Sequence, residues 1–250
     1  MISVIIPVSN NQTFLDQTLT SLERQIFKDF EVIIILNGTN NLKVNYLDYD
    51  IKINLYKIND KGAAIARNFG IQKSNYDIIC FLDSDDTWEK NKLYLQLKHF
   101  KSNNLNFSYT NYSFINKNLS RNCYQIKSIM DLATNNPICT SSVMIRKKLF
   151  EKRGFENFKM RSDFEFYLYL YKNSIKPIFF DEKDHVSLVN YRVHSLNLTY
   201  NKIEATFFHF KILLKYFGYF KSVLLELKYL INHLGPNFIS KKYSSTRKHY

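Results

Sequence analysis

The segment Asp77–Trp88 reads DIICFLDSDDTW, an apolar run that ends at three aspartates within four positions. Its length and its abrupt polar end are typical of a buried strand that leads into a loop. Like charges packed side by side raise the electrostatic energy unless a positive group lies among them. The chain as a whole is basic, with a formal net charge of +13, so this acidic cluster contrasts with its background. Asp83, Asp85 and Asp86 therefore predict a site that binds a positive charge.

Three apolar segments upstream have the same form and alternate with helical ones. The predicted strands are Ser3–Pro7, Phe30–Leu36, Ile53–Ile58 and Tyr76–Leu82. The predicted helices are Thr13–Gln25 and Lys61–Gln72. Continuous apolar strands that alternate with helices predict an α/β fold with a parallel, doubly wound sheet covered on both faces. Ligands of such sheets bind at the carboxyl ends of the strands. Pro7, Asn37 and the three aspartates are therefore expected to converge on one crevice.

The second half of the chain has a less regular pattern. Helices are predicted over Glu89–Lys101, Phe164–Asn173 and Ile203–Leu234, the last with a break at Gly218. Strands are predicted over Asn106–Ile115, Thr140–Ile145, Ile178–Phe180 and Val186–Val193. No internal repeat and no low-complexity linker interrupts the sequence.

Composition restricts the class of protein. Hydrophobic residues make up 45% and charged residues 23%, which is ordinary for a soluble globular protein. Cys80, Cys123 and Cys139 are scattered and form no CxxC pair, which argues against a zinc knuckle or a disulfide framework and fits a reducing compartment. The N-terminus lacks the features of a signal peptide, and no run of ~18 uncharged apolar residues predicts a transmembrane helix. We therefore expect a cytoplasmic protein.

Three carboxylates at a strand end predict a divalent cation site, because hard oxygen ligands suit Mg²⁺ or Mn²⁺. A short loop leaves positions on the ion open for substrate oxygens. The plainer alternative is a solvated acidic turn before the helix that begins near Glu89. An EF-hand would require glycine where Trp88 stands. Asp83–Thr87 also fits the DxDxT loop of haloacid-dehalogenase-like phosphatases, but three strands precede it and no downstream acidic pair follows.

Seven segments resemble, in this order and spacing, the family 2 glycosyltransferases of the GT-A fold: SVIIPVSNN, SLERQIFKDFEVIIILNGT, GAAIARNFG, FLDSDD, PICTSSVMIRKKLF, RSDFEFYLYL and YRVHS. The resemblance implies inverting transfer of a sugar from a nucleotide-diphosphate donor, usually with a divalent metal, here Mn²⁺ or Mg²⁺. It implies a GT-A catalytic domain over residues 1–200, with a nucleotide-binding half (1–100) and an acceptor-side half (101–200). A helical extension (201–235) and a polar tail (236–250) would follow.

Carried over residue by residue, the resemblance assigns nucleotide binding to Pro7, Val8, Asn37, Arg67, Asp83 and Ser84. Asp83 would face the ribose. The planar guanidinium of Arg67 suits base carbonyl or phosphate oxygens, unless Arg67 is only a helix-surface arginine.

The same resemblance assigns metal binding to Asp85, Asp86 and His194. Asp85 would hold the metal that bridges the diphosphate, and Asp86 would share the metal or orient the acceptor side. His194 would reach the metal or the diphosphate, although a lone histidine is more often structural. Arg192, two residues earlier, would point to the opposite face of a strand and is left out of the site.

Asp163 matches the catalytic base of the family. Inversion requires a carboxylate that takes the proton of the acceptor hydroxyl as this oxygen attacks C1 opposite the leaving group. Asp163 also precedes a predicted helix and could be only its N-cap. Glu165 is the alternative base.

Two departures from the family pattern concern the base of the nucleotide. Ser9 stands where tyrosine is usual, and Leu36-Asn37 replaces an aspartate pair. The amide oxygen of Asn37 can accept a hydrogen bond from uracil N3–H, so a uridine nucleotide is the expected donor, whereas the amide NH₂ could donate to a different base. Ser162 likewise replaces a glutamate that is frequent beside the catalytic base.

The last fifth of the chain is the most basic. Residues 202–250 contain nine Lys or Arg and two Glu, a net charge of +7. Lys211–Leu234 mixes Leu and aromatic residues with lysines, which suits a helix lying on an anionic membrane surface. A helix that only covers the catalytic domain is the alternative. If the membrane interpretation holds, the acceptor is expected to be a lipid-linked saccharide of bacterial surface polysaccharide synthesis. No nucleic acid partner is expected, because no binding motif accompanies the basic residues.

Three rival functions remain open at this point: the phosphatase, a relative that binds nucleotide-sugar without turnover, and a protein whose basic tail binds membranes or polyanions.

Overall fold

The computed structural model describes residues 1–9, 12–38, 45–115, 119–182, 185–193, 201–234 and 243–245. Secondary-structure elements are numbered in chain order. The strands are β1 (Ile2–Val8), β2 (Phe30–Asn37), β3 (Ile53–Ile58), β4 (Ile78–Phe81), β5 (Thr87–Trp88), β6 (Phe107–Thr110), β7 (Tyr112–Phe114), β8 (Leu119–Arg121), β9 (Met144–Arg146), β10 (Ile178–Phe180), β11 (Val189–Tyr191) and β12 (Tyr243–Ser245). The α-helices are α1 (Leu15–Glu23), α2 (Ala63–Lys73), α3 (Lys92–Ser102), α4 (Ile129–Asn135), α5 (Ser162–Lys172), α6 (Lys202–Phe217) and α7 (Tyr219–Leu234).

Four parallel strands form the half of the main sheet that the sequence predicts. Their order is β3-β2-β1-β4, and β1 pairs with both β2 and β4. All eight residues of β2 are buried, as expected for a strand covered on both faces. The prediction of a mostly parallel sheet is confirmed, and the predicted bounds of β3 are those observed.

The other half of the main sheet is mixed. β9 runs antiparallel between β4 and β6, and β10 pairs parallel with β6. The segment 140–145, predicted as one strand, begins instead with a 3-10 turn at Thr140–Ser142. This turn places two hydroxyl side chains directly beside the end of β4.

A second, smaller sheet has the order β12-β8-β7-β11-β5. The predicted strand 106–115 is wrong as one unit, because it divides at Asn111 into β6 of the main sheet and β7 of the small one. The Asn111 side chain accepts a hydrogen bond from the Cys123 amide (2.7 Å) and donates one to Asp181 (3.0 Å), which anchors the chain where it changes sheets. The pairing of β5 with β11 joins the chain just after the aspartates to residues about a hundred positions later.

The main sheet carries a core layer on each face. Alternate residues of β1 and β2 point to opposite faces, so that Ile5 and Ile33 share a layer with α2 and α5, while Val4 and Val32 pack with α1 and α3. Gly70 of α2 permits the close approach of this helix to the sheet, since a Cβ there would lie 2.5 Å from the γ2 methyl of Ile5. The doubly wound arrangement leaves the carboxyl ends of β1, β2 and β4 accessible at one edge.

Helices α6 and α7 form a hairpin that turns at Gly218, where the predicted break lies. The glycine has a φ of 72°, a conformation that other residues rarely adopt. The hairpin packs against α4 through α7. Among the helices of the described residues, none is long and apolar enough to cross a bilayer.

Candidate active site

The aspartate loop, residues 83–86, is a tight turn at the end of β4. The Asp86 amide donates to the Asp83 carbonyl at 3.1 Å and closes the turn. On one side, the Thr18 hydroxyl of α1 lies within hydrogen-bond distance of the carbonyl oxygens of Ser84 (3.0 Å) and Asp86 (2.8 Å). On the other side, the Ser141 hydroxyl accepts from the Asp83 amide at 3.1 Å. The loop is therefore held by backbone contacts, which leaves the Asp83 and Asp85 side chains half-exposed at the edge of the sheet.

Asp86 is the most buried of the three aspartates. One of its carboxylate oxygens accepts from the Ser141 hydroxyl (2.5 Å) and the other from the Arg192 amide (2.9 Å), and the residue is 0% exposed. Burial, followed by the charges of Asp85 and Asp83, raises the pKa of Asp86 well above its usual range. Both oxygens of Asp86 thus accept hydrogen bonds within the protein, and its buried carboxylate is less accessible to a metal than the half-exposed one of Asp85.

Arg67 of α2 is paired with Asp83. Its Nη2 lies 2.5 Å from Asp83 Oδ1, and the arginine is only 7% exposed. Burial opposes the positive charge, but the carboxylates of Asp83 and Asp163 outweigh it and raise the pKa of Arg67. Arg67 Nε is buried and has no hydrogen-bond partner among the described residues. Arg67 is therefore buried beside the aspartate loop, which contradicts the alternative of a helix-surface arginine.

Asp163 lies in the first turn of α5, where the N-terminal end of the helix favours a negative charge. Its Oδ2 accepts from the Thr140 hydroxyl at 2.7 Å. Burial and the charge of Asp163 raise the pKa of Tyr167 well above its usual range, so this tyrosine stays neutral beside the carboxylate. The helix cap is the preceding Arg161 and no side chain caps the helix, so the N-cap alternative for Asp163 is wrong.

Glu165 points away from this group. It is fully buried and pairs with Arg153, Lys215 and the Tyr216 hydroxyl. These partners hold α5 against α6, so Glu165 has a structural role and the alternative base assignment is not supported by its position.

The start of α5 is fixed by the C-terminal hairpin. Arg161 has a φ of 63°, in the left-handed region that residues other than glycine seldom occupy. Its Nε donates to the Ala205 carbonyl of α6 at 2.9 Å, and its Nη2 to the Tyr229 hydroxyl of α7 at 2.6 Å. The strained residue two positions before Asp163 is thus held in place by both helices of the hairpin.

The expected nucleotide residues lie at the same edge of the sheet. Pro7 and Val8 end β1, and Asn37 ends β2 one position beyond the partner of Val8. The strand register puts Ile5 beside Phe81, so Pro7 is level with Asp83. Asn37 is 7% exposed, and its Oδ1 is buried without a hydrogen-bond partner among the described residues. A buried acceptor left open at this edge is suited to an N–H donor of a ligand.

Arg192 corrects the expectation that it points away from the site. β11 ends at Tyr191, so the alternation of a strand does not extend to Arg192. Its amide binds Asp86, its Nε donates to the Asp85 carbonyl (2.8 Å), and its Nη2 donates to Gln17 (2.6 Å). His194, two residues further, lies outside the described residues, and its assignment stays a prediction.

The acidic edge suits a hard cation in the chemistry of its donors. Asp85 and Asp83 present half-exposed carboxylates, and their negative charge adds to burial, the larger cause, in raising the pKa of Asp86. Within the described ranges no three His, Cys, Asp or Glu side chains form a cluster that could hold a metal. A cation bound by Asp85 would therefore need further oxygen ligands from a bound substrate. The sequence predicts such a site, in which the ion keeps open positions for substrate oxygens.

The structure thus brings Arg67, Asp83 and Asp163 together beside the ends of β1 and β2. Sequence reasoning missed residues that contact Asp163, the aspartate loop or the hairpin at the start of α5, namely Thr140, Ser141, Arg192 and Arg161. Thr140, Ser141 and Arg161 lie within segments that carry the family resemblance, PICTSSVMIRKKLF and RSDFEFYLYL, so a signal was present without a role attached to it.

Comparison with known proteins gives the family. The family model described as Glycosyl transferase family 2 matches residues 3–158, more than half of the chain. This match contradicts the phosphatase alternative.

Two curated relatives illustrate how much of the chain such matches cover. An uncharacterized glycosyltransferase of Haemophilus influenzae is 28% identical over 247 residues, which cover 93% of this chain and 96% of the relative. The UDP-Glc:alpha-D-GlcNAc-diphosphoundecaprenol beta-1,3-glucosyltransferase WfgD of Escherichia coli is 34% identical over 122 residues, 47% of this chain and 48% of WfgD. The chain thus spans nearly all of one relative and about half of the other; it spans 25% of a Rickettsia bellii glycosyltransferase.

Solved structures share the fold. TarS 1-349 of S. aureus in complex with UDP-GlcNAc superposes with a TM-score of 0.69 at 16% identity, over 93% of this chain and 72% of TarS. The mannosyltransferase PcManGT of Pyrobaculum calidifontis, in complex with GDP-Man and Mn²⁺, gives a TM-score of 0.67 at 14% identity, over 94% of this chain and 70% of PcManGT. The predicted GT-A architecture is confirmed by these likenesses. The family model matches residues 3–158, and the fold is that of the solved structures. The chain therefore belongs to the family 2 glycosyltransferases.

Proposed function

We propose that this chain transfers a sugar, with inversion, from a uridine-diphosphate donor to a hydroxyl of a lipid-linked saccharide in bacterial surface polysaccharide synthesis. One observation carries the proposal. Arg67, Asp83 and Asp163 meet where β1, β2 and β4 end, so that a nucleotide-binding cation and a potential base share one crevice. The activity in the name of WfgD, transfer to a diphosphoundecaprenol-linked saccharide, supports the acceptor class.

The donor is assigned through Asn37. Its buried Oδ1 has no protein donor among the described residues. Uracil has an imide N3–H that can donate a hydrogen bond to this oxygen. Pro7 and Val8 end the neighbouring strand, and Asp83 with Ser84 would lie on the ribose side. TarS was solved with UDP-GlcNAc, which supports a uridine nucleotide in this fold.

Asp163 acts as the general base. Thr140 holds Oδ2, so Oδ1 is the oxygen that takes the proton of the acceptor hydroxyl. The deprotonated oxygen attacks the anomeric carbon from the face opposite the diphosphate, and the bond from that carbon to the diphosphate oxygen breaks. Arg67 stabilises the negative charge that stays on the nucleotide side.

Asp85 would hold Mn²⁺ or Mg²⁺, with Asp86 and His194 as the further predicted ligands. When bound, the cation neutralises charge on the diphosphate and makes it a better leaving group. Asp86 is fully buried and its oxygens already accept from Ser141 and the Arg192 amide, so Asp85 would be the primary ligand. PcManGT was solved with Mn²⁺, which supports this choice of metal.

A transfer assay tests the proposal. The protein is incubated with Mn²⁺, a polyprenyl-diphosphate-linked amino sugar and each member of a panel of UDP-sugars and GDP-sugars. We expect transfer from one UDP-sugar, and NMR of the product should show an anomeric configuration opposite to that of the donor. Asn37→Ala serves as the matched variant and should lower UDP affinity about tenfold through the lost hydrogen bond.

Two outcomes would count against the proposal. Transfer from a GDP-sugar alone would contradict the uridine assignment. UDP binding by calorimetry without transfer from any donor to any lipid-linked acceptor would instead favour the nucleotide-sugar-binding relative without turnover.

A further inference from the structure

The C-terminal hairpin has a polar inner side that contacts the rest of the protein. His209 of α6 is 1% exposed, lies with Nδ1 2.6 Å from Glu226 of α7 and with Nε2 3.0 Å from the Ala133 carbonyl of α4. Its ring stacks on Tyr229, which in turn accepts from Arg161, the residue that precedes α5. These contacts fix which side of each helix faces inward, and they confirm that the hairpin covers the catalytic domain.

The outer side of the hairpin is apolar. α6 exposes Ile203 (86%) and Phe207 (61%), and α7 exposes Phe220 (85%), Leu224 (67%) and Ile231 (72%). The apolar positions recur at intervals of three and four residues on both helices, namely Ile203, Phe207, Phe210 and Leu214, and Phe220, Leu224, Leu227 and Ile231. Such spacing forms one continuous stripe along a helix. Contiguous exposed apolar surface of this kind marks an interaction site.

The two stripes emerge on the same side of the hairpin. In each helix the stripe begins six residues before the inward-facing member of the His209–Glu226 pair, at Ile203 and at Phe220. The two helices run antiparallel after the turn at Gly218. Positions that are the same number of residues before the His209–Glu226 contact therefore point to the same side of the hairpin on both helices. The eight apolar residues therefore form a single surface, here called the hairpin face.

The charges around the hairpin face are all of one sign. Lys211, Lys221 and Lys228 are exposed, and each directly follows a residue of the hairpin face in sequence. No salt bridge joins these lysines to a carboxylate of the described residues. The two acidic residues of the helices are turned to protein partners, Glu204 to Lys159 and Glu226 to His209. Exposed apolar side chains flanked by lysines match the chemistry of an anionic bilayer surface, with acyl chains below and phosphates above.

We propose that the hairpin face docks the protein on anionic phospholipid. A second copy of the chain is a poorer occupant, because a two-fold interface would bring the same lysines together across it. A nucleic acid would leave the apolar residues without a partner. The lysine stems can lie along the apolar surface while their ammonium groups reach lipid phosphates. Docking there would hold the catalytic domain at the surface where the lipid-linked acceptor of the proposed function resides.

Vesicle sedimentation with the full chain tests this surface. Vesicles of phosphatidylcholine alone and of phosphatidylcholine with phosphatidylglycerol are compared at low and high salt. We expect binding to the anionic vesicles, weakened by salt. The triple variant Lys211→Glu, Lys221→Glu and Lys228→Glu should lower partitioning by roughly a hundredfold or more, and Leu224→Asn should lower it at every salt concentration.

Matched controls separate the hairpin face from general charge and exposure. Lys52→Glu, Lys98→Glu and Lys101→Glu remove three exposed lysines elsewhere, and Leu47→Asn alters a leucine that is 76% exposed. These controls should bind vesicles nearly as well as the original chain, since their sites lie outside the hairpin face.

Three results would overturn the proposal: no binding to anionic vesicles, equal loss in the control variants, or a dimer by light scattering that Leu224→Asn converts to a monomer. UDP binding by calorimetry is measured in parallel and does not involve the hairpin face. A chain that binds UDP but not vesicles would contradict only the docking surface, and one that binds vesicles but not UDP would contradict only the proposed function.

Discussion

At the scale of single residues, the position of Asp163 makes the sharpest prediction. Asp163→Asn keeps an oxygen for the Thr140 hydroxyl but cannot take a proton, so the fold and the donor site are preserved. We expect transfer to fall by roughly 10²–10⁴-fold, the usual contribution of a general base. UDP affinity, measured by calorimetry with Mn²⁺, should be unchanged.

Glu165→Gln is the comparison that distinguishes the two carboxylates of this turn. It removes the charge that pairs with Arg153 and Lys215, so it should lower the thermal stability while the rate of transfer per folded molecule stays close to that of the original chain. Full activity of Asp163→Asn together with a dead Glu165→Gln would transfer the role of base to Glu165.

The individual residues show how far sequence reasoning reaches. Arg67 and Asp83 were both predicted to lie on the nucleotide side, because both belong to segments that carry the family resemblance, but their ion pair was not predicted. Ser141 and Arg192 were not predicted as site residues, although both contact the aspartate loop. Their contacts depend on where a turn begins and where a strand stops, which a periodicity in the sequence does not define to within one residue.

At the scale of secondary-structure elements, α5 depends on the hairpin for its first turn. Arg161 holds a left-handed backbone conformation and donates to both α6 and α7. We expect Arg161→Ala to lower kcat by about ten- to a hundredfold with little change in the KM for the donor, because Asp163 would lose its alignment. Steady-state kinetics on the purified variant measure both quantities.

Two further variants show whether Arg161 is a positioning residue or only a stabilising one. Tyr229→Phe removes one acceptor and should lower kcat less than Arg161→Ala does, and Arg161→Lys should restore part of the loss. A lower melting temperature with unchanged kcat in Arg161→Ala would mean that the residue only stabilises the fold.

α3 contains a buried amine that should destabilise the protein at neutral pH. Lys92 is 0% exposed, and its Nζ lies 3.7 Å from the centroid of the Trp88 ring. Burial lowers the pKa of Lys92 below its ordinary value of 10.5, with the neighbouring Cys80 thiol opposing the shift. Below pH 10.5 the unfolded chain binds this proton more readily than the folded chain does, so this group's contribution to stability improves as pH rises toward that value.

Lys92→Met removes the amine and keeps the volume. We expect the free energy of unfolding at pH 7 to rise by roughly 1–2 kcal/mol. The gain should shrink as the pH approaches the alkaline range. Urea unfolding at several pH values measures it, and Lys98→Met, on an exposed position of the same helix, is the control. A gain that does not depend on pH would mean that packing and not charge accounts for it.

The elements differ in how well the sequence predicts them. β1 to β4 are continuous apolar runs with local signals at both ends, and their predicted bounds agree with the structure to within two residues. The short strands β5 and β8 were not predicted, because two or three residues carry no period, and β5 in addition pairs with a strand about a hundred positions later. The first half of the fold is therefore encoded locally, whereas the second half depends on tertiary pairing.

At the scale of the whole molecule, charge is divided between two regions. The aspartate loop concentrates negative charge at the edge of the main sheet, and the hairpin face carries lysines without outward-facing acids. Arg161 connects the regions, since it joins the helix of Asp163 to both helices of the hairpin. The proposed donor site and the proposed docking surface therefore differ in charge, and Arg161 links them structurally.

Ligand binding should stabilise the whole fold in a metal-dependent way. Because the proposed donor site is assembled from β1, β2, β4 and α2, a ligand that binds it binds only the folded chain. UDP with Mn²⁺ at a hundredfold excess over its Kd should raise the free energy of unfolding by about 2.7 kcal/mol. For a chain of this length that corresponds to an increase in Tm of roughly 5–10 °C, measured by differential scanning fluorimetry.

Removing the metal in the same experiment tests whether the aspartate loop binds it. EDTA should reduce the increase caused by UDP, because the diphosphate then meets the carboxylates of Asp83 and Asp85 without a cation between them. In Asp85→Asn the increase should be small and insensitive to EDTA, whereas Asp60→Asn, an exposed aspartate outside the loop, should behave like the original chain. An EDTA effect of full size in Asp85→Asn would show that the metal binds elsewhere, and an increase in Tm that EDTA does not alter in the original chain would make donor binding independent of metal.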